Sequence, residues 1–317
     1  MIKSFFKSLS LEIFEVSYTL FKIMIPVIIV VKILEELGII EYIGIILEPL
    51  MSLVGLPESM GLVWATTVMT SIYGGMVIFV SQAPSDLTVA QVTILGGMML
   101  LAHGLPVEVR IAQKAGMSVW FSLLIRVGGG VLYGWLLFQI YSAGDWLQQP
   151  NQLMWQAEPS VDTSLIDWGV TQLKSLAIIQ VIIIVLLFFL KILKLIGIEK
   201  LLAIMLSPIL KVLGISKQAT TITIVGITLG LAYGGGLLIK EAQQGMLTKK
   251  DVFTAIALLA LLHSLIEDTL LILLLGADLS GVLWFRLCFS FIFISILSRL
   301  VFRMDDKAFE RVFCSKT

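Results

Sequence analysis

Charged side chains are scarce in this chain. Asp, Glu, Lys and Arg make up 14% of its 317 residues, whereas hydrophobic residues make up 58%. A water-soluble domain keeps about a quarter of its residues charged, so the composition excludes an ordinary soluble protein. Acidic and basic residues balance at 22 each, and this zero net charge gives no indication of nucleic-acid binding.

Sequence motifs for nucleotide binding and for nucleophilic catalysis are also lacking. The chain has no Gly-x-x-x-x-Gly-Lys-Ser/Thr run, which would bind a nucleoside triphosphate, and no Gly-x-Ser-x-Gly elbow. Its two cysteines, Cys288 and Cys314, are too few for a disulfide framework, and neither is close in sequence to a histidine. We therefore expect no enzymatic activity and no cofactor.

Long apolar stretches indicate helices that cross a membrane. The clearest cores are residues 176–190 and 252–274, which with their flanks reach the roughly 20 residues that a spanning helix needs. Neither alternates polar and apolar residues as a barrel strand does. The sequence predicts an all-α polytopic membrane protein in contact with the lipid bilayer. Residues 1–17 predict either a helix lying in the membrane interface or a frayed start to the first span.

The two halves of the chain are related in sequence. The motif that begins at Pro49 recurs at Pro208, and Tyr73-Gly74-Gly75 recurs 160 residues later as Tyr233-Gly234-Gly235. At that same shift three further pairs match, namely His103 with His263, Glu108 with Asp268, and Arg126 with Arg286. We predict two repeats, 18–141 and 173–303, joined by a polar loop at 142–172 and followed by a tail at 304–317.

The distribution of Lys and Arg predicts which side of the membrane each loop faces. Loop 142–172 contains neither residue, whereas 191–217, 240–250 and the tail are rich in them. This pattern places 142–172 outside and both termini in the cytoplasm, in the cell inner membrane. Segments 59–82 and 218–240 then begin and end on one side, so each is predicted to enter, break and return. The fold becomes two inverted-topology repeats, each with about three spanning helices and one broken or re-entrant segment.

The Gly-Gly pairs, Gly74-Gly75 and Gly234-Gly235, are the predicted breaks, because glycine accepts backbone angles that other residues avoid. The alternative is that these small residues allow close helix packing. Broken helices persist at membrane depth only where protein or a watery cavity satisfies their backbone groups. The nearby hydroxyls of Thr70 and Ser71 would coordinate a solute or, as we prefer, cap the freed backbone.

Ionisable residues inside apolar segments are candidate site residues, because charge at membrane depth is costly and usually lines a pathway or is paired. His263 and Glu267 are four residues apart, which would place them on one face of a helix. Their predicted role is proton relay or solute contact, whereas solvation by headgroups at helix ends is the alternative for the acids. The candidate binding residues are Thr70, Ser71, Tyr73, Gly74, Gly75, His103, Glu108, Tyr233, Gly234, Gly235, His263, Glu267 and Asp268.

Two further interpretations concern Arg126, Arg286 and metal binding. The arginines would receive an anionic solute or, as preferred here, snorkel to the interface or pair with an acid. Histidine and carboxylate also bind zinc or iron. Two histidines with no cysteine or third histidine nearby make this a weak alternative, so we expect no bound metal.

The pattern that begins at Pro49, together with Tyr73-Gly74-Gly75 and their second-half partners, resembles the nucleoside-recognition, or Gate, domain family. This family includes the spore maturation membrane proteins, and similar segments occur in concentrative nucleoside transporters and ferrous-iron permeases. The resemblance covers most of 18–141 and 173–303. It implies a membrane protein with gate-like elements and fixes no substrate. The missing GTP-binding motif departs from the iron permeases and argues against iron transport.

The sequence thus predicts an inner-membrane secondary transporter for a small solute, with a central site between the broken segments of the two repeats. Coupling to H+ or Na+ and homo-oligomerisation are left open. The alternative is a non-transporting membrane subunit that scaffolds or gates a partner complex. The density of polar groups where the repeats meet distinguishes the two. A transporter needs a cavity lined by both Gly-Gly breaks, whereas a scaffold would bury them dry.

Overall fold

Helices form the regular structure in the computed structural model, which describes residues 2–82, 86–152, 164–244 and 247–315. Within these ranges there is no strand, and the only bridges join Thr88 to Pro150 and Met117 to Cys314. The predicted all-α class is confirmed. It follows from apolar runs that show none of the alternation a half-buried strand requires.

The helices follow the same order in both halves of the chain. In the first half they are α1 (Ile2–Glu36), α2 (Ile39–Leu53), α3 (Met60–Met69), α4 (Ile72–Gln82), α5 (Val89–Leu101), α6 (Leu105–Lys114), α7 (Val119–Leu123) and α8 (Gly129–Gly144), with a π-helical turn at Leu124–Gly128. In the second half they are α9 (Leu165–Leu195), α10 (Ile198–Val212), α11 (Lys217–Leu229), α12 (Leu231–Gln243), α13 (Lys249–Leu262), α14 (Glu267–Leu274), α15 (Arg286–Arg303) and α16 (Asp306–Phe313), with a π-helical turn at Ser280–Phe285.

Six helical segments of the described chain are long and apolar enough to cross a membrane, three in each half. They are Phe5–Glu36, Val89–Lys114, Val119–Gly144, Leu165–Leu195, Lys249–Leu274 and Ser280–Arg303. Large apolar side chains such as Phe14, Ile184 and Ile292 are exposed on them, as contact with lipid tails requires. The protein is therefore an integral membrane protein, as predicted.

Helix α1 differs from the expected layout at the N-terminus. Residues 2–17 and the first span form one uninterrupted helix, Ile2–Glu36. No turn residue separates the interfacial segment expected at 1–17 from the apolar core that follows, and Pro26 is accommodated inside the helix. The depth at which this helix enters the membrane interface stays a prediction.

Two short helix pairs, α3–α4 and α11–α12, fold back on themselves as hairpins. The chain breaks at Thr70 and Ser71 in the first and at Gly230 in the second. A Cβ atom added at Gly234 would overlap the backbone of Gly226. Eight residues of continuous helix would hold these two glycines about 12 Å apart, so the chain must turn back between them. Both segments thus break and fold back, and their re-entry into the membrane from one side stays a prediction.

The prediction that the Gly-Gly pairs supply these breaks is wrong. Both pairs lie inside helices, Gly74-Gly75 in α4 and Gly234-Gly235 in α12. A side chain at Gly75 would overlap Thr67 of the facing helix, and one at Gly235 would overlap Ile111. The glycines let helices approach closely, which is the alternative stated for them above.

Helices α5 and α13 both begin with a threonine N-cap at equivalent positions. The Thr88 hydroxyl accepts the Gln91 amide, and the Gln91 side chain accepts the Thr88 amide in return. In α13 the Thr248 hydroxyl accepts the Asp251 amide. A hydroxyl residue with an acid or amide side chain three positions later satisfies free amides of the first turn. This explains why both helices start where the apolar runs begin.

Contacts at the helix ends show that the segment α5–α6 and the segment α13–α14 run in opposite directions. At the start of α5, the Ala90 amide donates to the Leu147 carbonyl over 2.8 Å. Ser118 follows the turn after α6, and its amide donates to the carbonyl of Phe313 in α16 over 2.8 Å. The start of α13 lies at this second end, where Lys250 Nζ donates to the Met304 carbonyl over 2.8 Å.

Candidate functional site

Two of the spanning segments are interrupted at their histidines. The α5–α6 span unwinds between Leu101 and Leu105, and the α13–α14 span unwinds between Leu262 and Glu267. His103 and His263 lie in these two breaks.

The residue that follows each histidine has a left-handed backbone. Gly104 has φ +56°, and Ser264 at the equivalent position has φ +46°. A left-handed serine costs roughly 1–2 kcal/mol, and strain of this kind concentrates at functional sites.

The two histidine rings face each other at the centre of the bundle. The Nδ1 atom of His103 lies 3.0 Å from the Met99 carbonyl oxygen, and that of His263 lies 2.7 Å from the Leu259 carbonyl oxygen. A carbonyl oxygen only accepts, so both Nδ1 atoms must donate. The Nε2 atoms, 3.0 Å apart, are therefore the free nitrogens of both rings. Both histidines are buried.

Two carboxylates approach this pair of nitrogens. Glu108 Oε1 lies 3.3 Å from the Nε2 atom of His103 and 3.0 Å from that of His263. Asp268 Oδ2 lies 3.7 Å from His103 Nε2, and this buried oxygen has no hydrogen-bond partner among the described residues. Both acids occupy the first turn of a helix, α6 or α14, where the helix dipole favours negative charge. They face the protein interior, so the headgroup-solvation alternative is wrong for them.

The two arginines are fully buried and bind the unwound backbone. Arg126 forms an ion pair with Glu108 and donates to the carbonyl of His103 over 2.9 Å. Arg286 donates to the carbonyl of His263, also over 2.9 Å. The snorkelling interpretation is wrong for both side chains, because neither reaches the surface of the protein. Ion pairing is correct for Arg126.

Each arginine also crosses to the other half of the chain. Arg126 donates to the Ala260 carbonyl over 3.1 Å, and Arg286 approaches the Leu100 carbonyl at 3.5 Å. Ala260 stands 160 residues after Leu100, which is the shift that relates the two sequence halves. Equivalent residues therefore make equivalent contacts across the centre. Each arginine also lies in or directly after a π-helical turn, a feature frequent at functional sites.

The hairpins contact the unwound segments from both sides. The Gly104 amide donates to the Thr67 carbonyl of α3 over 3.1 Å, and the Leu265 amide donates to the Ile227 carbonyl of α11 over 2.8 Å. In addition, the Tyr73 hydroxyl of α4 lies 3.4 Å from Glu267 Oε1. Four helix interruptions thus meet where the charged residues lie. We call the charged group the central cluster; its members are His103, His263, Glu108, Glu267, Asp268, Arg126 and Arg286.

Of the predicted site residues, the structure brings His103, His263, Glu108 and Asp268 together, with Tyr73 and Glu267 at the edge. The expectation that His263 and Glu267 share a helical face is wrong, because the helix is interrupted between them. The side chain of Tyr233 lies outside the described residues.

The hydroxyls at the first break cap the backbone, as preferred above. Thr70 Oγ1 donates to the Thr66 carbonyl over 2.7 Å, and Ser71 Oγ accepts the Gly74 amide over 3.3 Å. These groups are committed to the hairpin and do not reach the central cluster in this structure.

Sequence reasoning did not assign the arginines to the site and did not locate the breaks in the spans. A signal existed for both. Arg126 and Arg286 occupy matching positions within apolar segments. A charged side chain there is costly if it faces lipid. Gly104 and Pro106 interrupt an apolar run, and this combination commonly ends one helix and begins another.

Comparison with known proteins supports the membrane assignment. The chain is 27% identical over 276 residues to the uncharacterized membrane protein YvoD of Bacillus subtilis (strain 168), an alignment that covers 86% of this chain and 87% of that protein. No family model matches the chain, and no solved structure matches it. The resemblance to the Gate and spore maturation family therefore stays a prediction.

The central cluster is arranged to attract a cation. Its three carboxylates exceed its two guanidiniums by one negative charge when all are ionised. With both Nδ1 atoms donating, each ring in its neutral form presents only an electron pair at Nε2, beside the carboxylate oxygens of Glu108 and Asp268. Acceptors that converge in this way repel each other until a positive charge lies between them.

Proposed function

We propose that this protein is an inner-membrane secondary transporter for a small solute, with its binding site at the central cluster. The observation that carries the proposal is the convergence of four helix interruptions, two from each half, on buried ionisable residues. Discontinuous helices that meet near the midplane, at the interface of two repeats, form the solute and ion sites of many secondary transporters.

The contacts of the helix ends support two inverted repeats. Segments α5–α6 and α13–α14 run in opposite directions, and each half contributes three segments long enough to span. Because the first half crosses the membrane three times, the second half begins on the opposite side and is inverted relative to the first. The exchanged contacts of Arg126 and Arg286 are those expected of two units related by a twofold axis.

The cost of the central cluster argues against a purely structural subunit. Charged groups at membrane depth are expensive, and those that persist are usually functional. A well-packed apolar core is often as stable as a buried ion-pair network, so stability alone does not account for seven ionisable residues here. A subunit that only scaffolds or gates a partner complex has no need for this charge.

The Lys and Arg distribution supports an orientation for this transporter. Lys250 and α16, which carries Lys307 and Arg311, lie together at one end of the bundle. Residues 145–152, with no Lys or Arg, lie at the other end. We assign the first end to the cytoplasm, which places both termini and the opening of the α11–α12 hairpin there.

A thermal-shift screen tests the proposed function. The purified protein is heated with nucleosides, peptides, organic anions, and monovalent or divalent cations in turn. A solute that binds the folded state at 100 times its Kd stabilises it by about 2.7 kcal/mol. We expect one class to raise the Tm of the unmodified protein, and this shift to disappear in Asp268→Asn.

The matched control is Asp278→Asn, a change of the same kind outside the central cluster. Within the described residues the Asp278 carboxylate makes one hydrogen bond, from the Ser280 amide over 2.8 Å, and asparagine retains that acceptor. A solute whose shift is equal in both variants binds elsewhere. A screen in which no class shifts the Tm would contradict the proposal.

A further inference from the structure

We propose that the central cluster binds one divalent transition-metal ion of the Zn2+ type, held by His103, His263, Glu108 and Asp268. As a statement about the transported solute, this rests on the proposed function. As a statement about a metal site, it stands on the geometry alone. The nearest ligand atoms of His103, His263 and Asp268 all lie within 4.8 Å of one another.

The spacing of the four atoms fits a single ion. Zinc binds histidine nitrogen and carboxylate oxygen at about 2.0–2.2 Å in a tetrahedron, which places neighbouring ligand atoms about 3.3–3.6 Å apart. The two Nε2 atoms are 3.0 Å apart, and Glu108 Oε1 lies 3.3 and 3.0 Å from them. Asp268 Oδ2 lies 3.7 Å from His103 Nε2. These four of the six distances lie close to the tetrahedral edge. The separation among the atoms of His103, His263 and Asp268 reaches up to 4.8 Å, so Asp268 must move toward the other ligands for all four to share one ion.

The groups behind the ligands are also those of a metal site. Histidine ligands almost always donate their other ring nitrogen to a carbonyl or carboxylate, which fixes the ring. Both Nδ1 atoms do so here, to Met99 and Leu259. Ligating carboxylates are usually held by partners of their own, and the second oxygen of Glu108 lies in an ion pair with Arg126 without accepting a hydrogen bond among the described residues.

The donor set selects the class of ion. Imidazole nitrogen suits zinc, copper, iron and nickel, whereas Na+, Mg2+ and Ca2+ prefer sites made of oxygen. With its carboxylates ionised and its histidines neutral, the cluster carries one excess negative charge, which favours a cation over an anion. Ligand atoms about 3 Å apart leave space for a bare ion but not for a nucleoside or a peptide.

A shared proton alone does not satisfy this arrangement. One proton between the two Nε2 atoms joins the histidines and leaves Asp268 Oδ2 without a partner, although that oxygen is buried. An unpaired buried carboxylate oxygen costs on the order of 1–3 kcal/mol or more. A metal ion engages all four acceptors at once. The experiment below distinguishes this metal site from a site that holds only a proton.

The test exploits the fact that the chain has only two histidines. Protein carrying 15N-histidine and a purification tag free of histidine gives imidazole NMR signals from the cluster alone. We expect Zn2+ to shift both Nε2 signals, to saturate at one ion per chain, and to bind at least about 100-fold more weakly in His263→Gln. The control Asp278→Asn should bind as tightly as the unmodified protein.

A second measurement covers the case in which His263→Gln does not fold. Co2+ added to the unmodified protein should give the intense visible absorption of a four-coordinate nitrogen and oxygen site, which Zn2+ then removes. Nε2 signals that respond to pH and not to Zn2+ would overturn the metal site, as would Zn2+ binding retained in folded His263→Gln. Neither result removes the proposed transport, since another solute can still stabilise the protein in the thermal-shift screen.

Discussion

Replacing Arg126 with methionine should lower the free energy of unfolding by about 3–5 kcal/mol, because it leaves a buried charge without its partner. The guanidinium pairs with Glu108 and donates to two carbonyls, those of His103 and Ala260. Methionine fills similar space and restores none of these bonds. We expect a much smaller folded fraction after detergent extraction, measured by size-exclusion chromatography and thermal unfolding.

Arg110→Met is the matched control for this experiment. Arg110 is exposed and is bonded to Gln113 only, as far as the described residues show, so its loss should change stability by less than about 0.5 kcal/mol. Adding Glu108→Gln to Arg126→Met should recover part of the loss, since both members of the pair are then neutral. Equal stability of Arg126→Met and Arg110→Met would show that Arg126 is not the anchor of the unwound segments.

Gly234→Ala is the second substitution with a large expected effect. A Cβ atom there would overlap the Gly226 backbone of the facing helix, and backbone cannot move aside as a flexible side chain can. Overpacking of this kind costs typically 1–3 kcal/mol, which exceeds the gain of up to about 1 kcal/mol in helix propensity. We expect reduced thermal stability and reduced membrane abundance.

Gly236→Ala provides the comparison within the same helix. Gly236 is exposed, and a Cβ atom there would meet nothing within 4 Å. Alanine at this position should stabilise α12 by up to about 1 kcal/mol. If the two variants were equally stable, the close approach of α11 and α12 would be disproved.

Much of the fold could be predicted because its signals are local or repeated. The apolar runs predict the spanning helices from composition. The Lys and Arg distribution, with neither residue in 142–172, favours segments 59–82 and 218–240 that turn back on themselves. The matched positions of His103 and His263 predict that both belong to one site.

The rest could not be predicted because it depends on contacts between the halves. His263 and Glu267 fit the spacing of one helical face, and only tertiary structure shows that the helix is interrupted between them. The Gly-Gly pairs carry the same sequence signal whether glycine breaks a helix or packs against one. A short motif cannot distinguish these roles, since the deciding atoms belong to Thr67, Gly226 and other residues of the facing helices.

Sided labelling of a cysteine at the break of the α3–α4 hairpin, which contacts the unwound segment at Gly104, tests the central claim most directly. Only Cys288 and Cys314 need to be replaced to obtain a cysteine-free background. Ser71→Cys then places one thiol at the break of the α3–α4 hairpin, while Gln148→Cys and Lys217→Cys mark the two sides. The reagent is a membrane-impermeant maleimide applied to vesicles of each orientation.

A transporter must expose its centre to each side in turn. We therefore predict that Ser71→Cys reacts from both sides, that Gln148→Cys reacts only from outside, and that Lys217→Cys reacts only from the cytoplasmic side. The two markers confirm that the vesicles are sealed and oriented. Reaction of Ser71→Cys from one side only, or from neither, would contradict transport through the central cluster.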